Sequence, residues 1–445
     1  MSRTSRQANA PMDDTATPRP ARASRRQAAA KPKSPATLPP PPGRTRSGRP
    51  ATNDAAEPGA TGDTGLPYET VALVLQGGGA LGSYQAGVYE GLAGAGINPN
   101  WVAGISIGAL NTALIAGNPP GLRVQRLREF WETICRPAVA MPVADLFQDW
   151  VTQIAPQSRK LFSGFEAWRA IVEGQRAFFT PRGVLPWLGG KQGVTESSFY
   201  DTVHLKSTLE RLVDFDRINA AEMRVSVGAV NVRTGNFEYF DNTSGPAKGR
   251  MRPEHFMASG ALPPAFPAVE IDGEYYWDGG VVSNTPLSHV LAATPRRNTL
   301  CFQVDLWSAL GRLPENVYDA QERLKDIQYS SRTRAVTTTM AKEQHFRRML
   351  REVLEHVPPK VRESDPWCRQ ATALACSRQY SVIHLIYQDK EWEGQAKDYE
   401  FSPRTMHEHW NSGLQDIGRT LSHTDWMSLP PQGKEFVTHD QHRAA

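Results

Sequence analysis

The stretch Val71-Ala72-Leu73-Val74-Leu75-Gln76-Gly77-Gly78-Gly79-Ala80-Leu81-Gly82 decides the fold. Five apolar residues in a row have the pattern of a strand buried on both faces. The three glycines turn it tightly into a helix, whose apolar residues recur at helical spacing over residues 81–92. The same unit then repeats. Residues 101–105 read as a second buried strand and residues 107–116 as a helix of small residues. Strand, glycine turn, helix, strand, sharp turn, helix predicts an α/β fold around a mainly parallel central sheet.

Working outward, residues 224–232 and 237–240 flank Arg233-Thr234-Gly235-Asn236 and predict a hairpin. Residues 269–277, 300–306 and 382–387 predict further strands. Residues 316–356 form a long mixed-charge helical region. A last helix begins at Ser402 as N-cap with Pro403 in its first turn, and runs to about residue 421. No internal repeat is visible.

The chain has 445 residues and 50 Lys+Arg against 46 Asp+Glu, enough for one large domain or two ordinary ones. Residues 1–66 lack Phe, Tyr and Trp and are crowded with Pro, Ala and Arg. They are expected to be a disordered basic tail, either simply solvated or touching an anionic surface. The remainder is slightly acidic, which argues against a nucleic-acid partner. Four cysteines without a Cys-x-x-Cys pair fit a reducing compartment rather than a disulfide scaffold or zinc site. No secretory signal is readable, so a cytoplasmic chain is expected, at most peripheral to the inner membrane face. The uncharged stretch 92–122 is interrupted by Asn98, Pro99 and Asn100 and reads as soluble core rather than a membrane span.

Residues 139–203 break the strand-helix rhythm and carry ten aromatics. They suit either a lid or interfacial surface reaching acyl chains, or a helical subdomain packing its aromatics inward.

Three motifs could carry chemistry. Gly104-Ile105-Ser106-Ile107-Gly108 places a serine on a sharp turn between strand and helix, where the strain exposes its hydroxyl and the helix start aims amides at a reacting oxygen. Gly77, Gly78, Gly79 and Gly82 sit at a strand end opening a helix, which suits an oxyanion or a diphosphate. A dinucleotide site needs an acidic residue about 20 positions on, and none lies between Glu90 and Glu129. Asp278-Gly279-Gly280 ends a strand in a glycine turn, where a carboxylate could stand beside Ser106. His289 and His384 follow Asp278 and keep a Ser-His-Asp arrangement open. His407-Glu408-His409 reads as a solvated helix face.

These motifs, in this order, resemble the bacterial patatin-like phospholipases, lipid acyl hydrolases with a Ser-Asp dyad. Residues 258–267, rich in Ala and Pro, and Asn284-Thr285-Pro286 add to the resemblance. It implies a three-layer α/β sandwich with a helical insertion at 139–203. Ser106 would be the nucleophile and Asp278 the general base. Gly77, Gly78, Gly79 and Gly82 would form the oxyanion hole, with donors around Gly78 and Gly79. Gly104 and Gly108 would shape the nucleophile elbow, and Gly279 and Gly280 the base motif. No metal or organic cofactor is implied. The substrate would be a lipid or long-chain acyl ester, with peripheral contact to an anionic membrane. Many family members carry Arg or Lys where Leu81 stands, so any help from a cation there is missing. The catalytic domain would span 67–291, followed by an α+β extension at 292–421, containing Lys397-Asp398-Tyr399-Glu400-Phe401, and a polar tail at 422–445. A catalytically silent membrane-docking scaffold is the reading outside enzymology. The oligomeric state is not encoded in these patterns.

Overall fold

In the strand β1 (Thr70–Leu75) every residue is buried, and alternate side chains enter different cores. Val71, Leu73 and Leu75 join one cluster, Ala72 and Val74 the other. A strand apolar on both faces is stable only with packed layers on each side. The computed structural model describes residues 66–136 and 156–440, apart from residues 176, 184–185, 187–189, 192, 331–332, 391 and 432. The expected basic tail, except Leu66, and residues 139–155 of the aromatic insertion lie outside the described residues.

Along the chain follow β2 (Trp101–Gly104), β3 (Thr180–Pro181), β4 (Tyr200–Asp201), β5 (Arg224–Asn231), β6 (Phe237–Asp241), β7 (Val269–Ile271), β8 (Glu274–Asp278), β9 (Thr299–Asp305), β10 (Tyr380–Ile386) and β11 (Phe436–Asp440). Nine strands form one sheet in the order β11-β10-β9-β1-β2-β5-β8-β7, with β6 also on β5. Pairings from β11 to β5 are parallel, and β6, β7 and β8 add antiparallel ones.

The register around β5 positions the site. β2 pairs with Arg224 to Val227 of β5, and β8 with Ala229 to Asn231, while β6 occupies the other edge. β8 therefore takes up the edge where β2 leaves it. The residues just after Gly104 and the end of β8 at Asp278 meet beside Gly228.

The helices that bear on the site are α1 (Gly82–Gly94), α2 (Ile107–Ala116), α3 (Arg123–Ile134), α4 (Pro156–Glu173), α5 (Pro253–Ser259), α6 (Val317–Tyr329), α7 (Thr333–Glu355) and α8 (Pro403–Leu421). α2 is buried at every position, as its small residues allow. The stretch read as soluble core is thus largely interior, and no described helix is long and apolar enough to cross a membrane. α8 starts as its sequence predicts, with the Ser402 side chain accepting from the Thr405 amide. It packs on α1 at backbone contact. A Cβ at Gly87 would stand 1.9 Å from the Trp410 carbonyl oxygen, and one at Gly413 2.0 Å from that of Tyr84.

Three expectations need correction. Residues 269–277 are two strands, because Asp272 (φ 52°) and Gly273 (φ 87°) make a two-residue hairpin turn that pairs Ile271 with Glu274. The helical region 316–356 is split into α6 and α7, since Ser330 leaves helical geometry at ψ 134°. The segment expected as a polar tail supplies β11, which covers the edge that β10 would otherwise expose.

Gly413→Ala removes a glycine from a helix interior, a change worth about 1 kcal/mol in favour of the helix on propensity alone. Here it is expected to destabilise by about 1–3 kcal/mol, the usual range for overpacking. Urea unfolding that shows a net gain would contradict the α1–α8 contact.

Candidate active site

Ser106 lies between β2 and α2 at φ 56°, ψ −126°. A non-glycine residue there is strained, and it persists only where its surroundings over-determine it. Here they do. The Ser106 amide donates to the carbonyl and to Oγ of Ser259, both at 3.1 Å, and the Ser259 hydroxyl donates to the Gly228 carbonyl at 2.7 Å. The turn is too crowded for side chains on either side of it. A Cβ at Gly104 would lie 2.2 Å from the Gly108 carbonyl oxygen, and one at Gly108 2.4 Å from that of Leu75.

The glycine loop runs beside it, and a Cβ at Gly77 would stand 2.9 Å from the Ser106 Cβ. The Gly77 carbonyl accepts from Asn284 Nδ2 at 3.0 Å and Trp307 Nε1 at 2.8 Å. Its amide donates to the Asn284 carbonyl, while those of Ala80, Leu81 and Gly82 go to Asp398, Gly78 and Gly79. Among the described residues, the amides of Gly78, Gly79 and Ile107 have no partner, and all three residues line the same cavity. Four glycines were expected to form the oxyanion hole. Gly77 and Gly82 have their amides committed elsewhere, so their part is steric. Leu81 is fully buried in the core and supplies no polar group.

Asp278 ends β8, with its amide on the Ala261 carbonyl at 3.0 Å. Its carboxylate accepts from the Gly280 amide at 2.6 Å, and the Ser106 side chain lies near enough to favour its ionised form. Gly279 lets the chain turn against β5, where a Cβ would lie 2.6 Å from the Gly228 carbonyl oxygen. Burial pushes the Asp278 pKa up to about 7, against the lowering effects of the nearby Ser106 side chain and the Gly280 amide.

Ser106 and Asp278 open into a cavity of about 250 Å³. Its walls are largely apolar, and eight of the lining residues are aromatic. Phe178 and Phe179 from the insertion pack with Phe266 and Phe401, ring centroids 5.3 to 6.1 Å apart. Within the insertion, Phe178 and Phe179 face inward, while Phe165 and Trp168 of α4 are exposed with their rings stacked at 6.1 Å.

Neither histidine reaches Ser106. His289 stacks on Tyr239 at 3.9 Å, within 3.3 Å of Ser226 Oγ and 3.7 Å of Asp241 Oδ2. His384 is buried on β10, and neither lines the cavity. His407 is exposed as expected, but His409 is fully buried against Glu393 Oε1 at 2.5 Å, facing the core side of α8. No group of three or more His, Cys, Asp or Glu able to hold a metal occurs among the described residues. The cysteines are free thiols. Four residues around the site escaped a functional reading from sequence: Ser259, Asn284, Trp307 and Asp398. Ser259, Asn284 and Asp398 lie in stretches that carried the resemblance, though without a role for any of them, whereas Trp307 had no signal of its own.

A family model described as patatin-like phospholipase matches residues 73–291, and a second, described as patatin phospholipase, matches residues 327–433. Among solved structures the chain is similar to VipD from Legionella pneumophila, at 13% identity and a TM-score of 0.33, over 83% of this chain and 72% of that one. No curated protein matches it.

The raised Asp278 pKa carries a stability consequence. Below its ordinary value of 3.8 both folded and unfolded chains hold the proton; between there and about 7 only the unfolded chain releases it. Stability from this group is thus present at low pH and lost as pH rises through about 7. Asp278→Asn is expected to melt progressively higher than wild type as pH rises from about 4 to about 7, and to keep that lead at about pH 8. A difference in melting temperature that does not vary with pH would contradict the burial of an ionisable carboxyl.

Proposed function

The chain belongs to the patatin-like phospholipases, and on that premise we propose that it hydrolyses carboxylic esters of lipids with Ser106 as nucleophile and Asp278 as general base. The observation that carries this reading is the juxtaposition itself: a strained serine and a buried carboxylate on one cavity, beside amides that have no partner among the described residues.

In this mechanism Asp278 takes the Ser106 proton as Oγ attacks the ester carbonyl. The amides of Gly78, Gly79 and Ile107 receive the negative charge that develops on the carbonyl oxygen. Collapse of the tetrahedral intermediate expels the alcohol, which takes the proton from Asp278. Water, deprotonated by the same carboxylate, then releases the acid and frees Ser106. An ordinary aspartate is a poor base for a hydroxyl. Burial corrects this by raising its pKa toward the working pH, where Brønsted behaviour favours transfer. No cofactor enters any step.

The aromatic cavity suits the acyl chain. α4 exposes Phe165, Trp168, Ile171 and Val172 at helical spacing, and Ile171 also lines the cavity. This face is where the protein would rest on a lipid surface while substrate enters, as a peripheral protein on the cytoplasmic side.

Ser106→Ala and Asp278→Asn are each expected to lower kcat on a medium-chain p-nitrophenyl ester by on the order of 1,000-fold or more. His289→Ala and His384→Ala should stay near wild type. The wild-type rate should fall as pH drops below about 7, since the base must be ionised. Turnover that survives Asp278→Asn but is lost in a histidine variant would overturn the dyad in favour of a Ser-His-Asp enzyme.

A further inference from the structure

The Ala80 amide donates at 2.7 Å to the carbonyl of Asp398, more than 300 residues later in the chain. The contact is tight. Gly79, at φ 56°, lies so close that a Cβ there would be 2.1 Å from the same carbonyl oxygen. The peptide between Gly79 and Ala80 is thereby held at both ends: its N–H by Asp398, its C=O by the Gly82 amide. A run of three glycines has little conformational preference of its own, so its geometry must come from such outside contacts.

Asp398 is itself held in place. Lys325 of α6 donates to its carboxylate and, at 3.2 Å, to the Gln395 carbonyl. The neighbouring Lys397 is buried and bonds Asp326 Oδ1 at 2.7 Å and Asp389 Oδ2 at 2.8 Å. Burial opposes the Lys397 charge, but the two carboxylates outweigh it and its pKa lies above the ordinary lysine value. α6 also reaches the other side of the contact, because the Tyr329 carbonyl accepts from Gln76 Nε2 at 3.1 Å and from Asn284 Nδ2 at 2.9 Å. One helix thus anchors both the glycine loop and the segment that presses on it. Asp398, Tyr399 and Phe401 line the cavity.

We propose that residues 395–401, fastened to α6 through Lys325 and Lys397, are a clasp that orients the Gly78 and Gly79 amides for the oxyanion. The inference rests on the hydrolase reading above. It makes the region after β9 part of the catalytic centre, with Lys325 and Lys397 as positioning residues that touch no substrate.

Lys325→Met is the informative variant, because this side chain is about a quarter exposed and the Asp398 carboxylate it leaves behind keeps some access to solvent. Wild type, Lys325→Met, Lys325→Arg and Ser106→Ala are compared on the medium-chain ester and with an alkyl trifluoromethyl ketone, which adds to a serine and places a negative oxygen in the hole. For Lys325→Met the expected result is a kcat lower by about 10- to 100-fold, the range for a misplaced oxyanion donor. KM and the acid limb of the pH profile should be unchanged, and ketone affinity should fall in step with kcat. Lys325→Arg should recover most of the loss. A kcat equal to wild type in a variant that melts normally, or a fall in kcat with ketone affinity intact, would overturn the clasp. Should Lys325→Met fail to fold, Asp398→Asn cuts the same ion pair, keeps the carbonyl and is judged by the same readouts. Ser106→Ala separates the two levels: residual turnover there overturns the hydrolase reading and the clasp with it, whereas a silent Ser106→Ala beside an unaffected Lys325→Met overturns the clasp alone.

Discussion

The rest of this structure depends on one strained residue. Ser106 at φ 56° is a conformation that an L-amino acid adopts at a cost of order 1–3 kcal/mol, and its neighbours are arranged so that no cheaper one fits. Gly104 and Gly108 leave room for the turn only because neither has a side chain. Ser259 takes the serine amide with two acceptors. The all-buried α2 fixes the direction in which the chain leaves. Relaxing the turn would swing Oγ away from Asp278, so the same contacts that impose the strain also set how the two side chains face each other.

The carboxylate opposite it shows the same economy. Asp278 stands beside Ser106 because β8 takes over the edge of β5 at the point where β2 ends. That position is buried, which disfavours charge; the Gly280 amide and the Ser106 hydroxyl return part of what burial removes. The balance leaves a buried carboxyl whose pKa is pushed up to about 7. The glycine loop completes the arrangement, and its shape comes from Asn284, Trp307 and Asp398 rather than from its own residues. Two of these lie beyond β8 by at least 29 residues, in a region that also adds β9, β10 and β11 to the sheet. The three-layer core and the site therefore share one framework from β1 to β11.

Much of this was legible in the sequence, because the decisive elements are locally encoded. Residues 71–75 and 101–105 have the continuous apolar pattern of doubly buried strands, and Ser402-Pro403 announces its helix by capping chemistry alone. Ser106, Asp278 and the glycines were identifiable because strained turns and close backbone approaches restrict residue type. What was missed depended on distance along the chain. Trp307 and Asp398 serve the site through a ring N–H and a backbone carbonyl, and neither demands a recognisable motif. Which glycine amides stay free is likewise a matter of tertiary partners: Gly77 looks like Gly78 until Asn284 is placed against it. The Asp272-Gly273 turn was a different failure, a readable two-residue hairpin signal hidden inside a run of strand-forming residues. His409 was misread because α8 turns that residue toward Glu393 and its neighbour His407 toward solvent.

The central claim is that Ser106 is a nucleophile activated within this framework. It is tested most directly by reacting the folded protein with a fluorophosphonate and mapping the adduct by peptide mass spectrometry. The account predicts a single phosphonylated residue, Ser106, with labelling abolished by prior unfolding. An adduct on any other serine, or none on a folded protein that still hydrolyses esters, would contradict it.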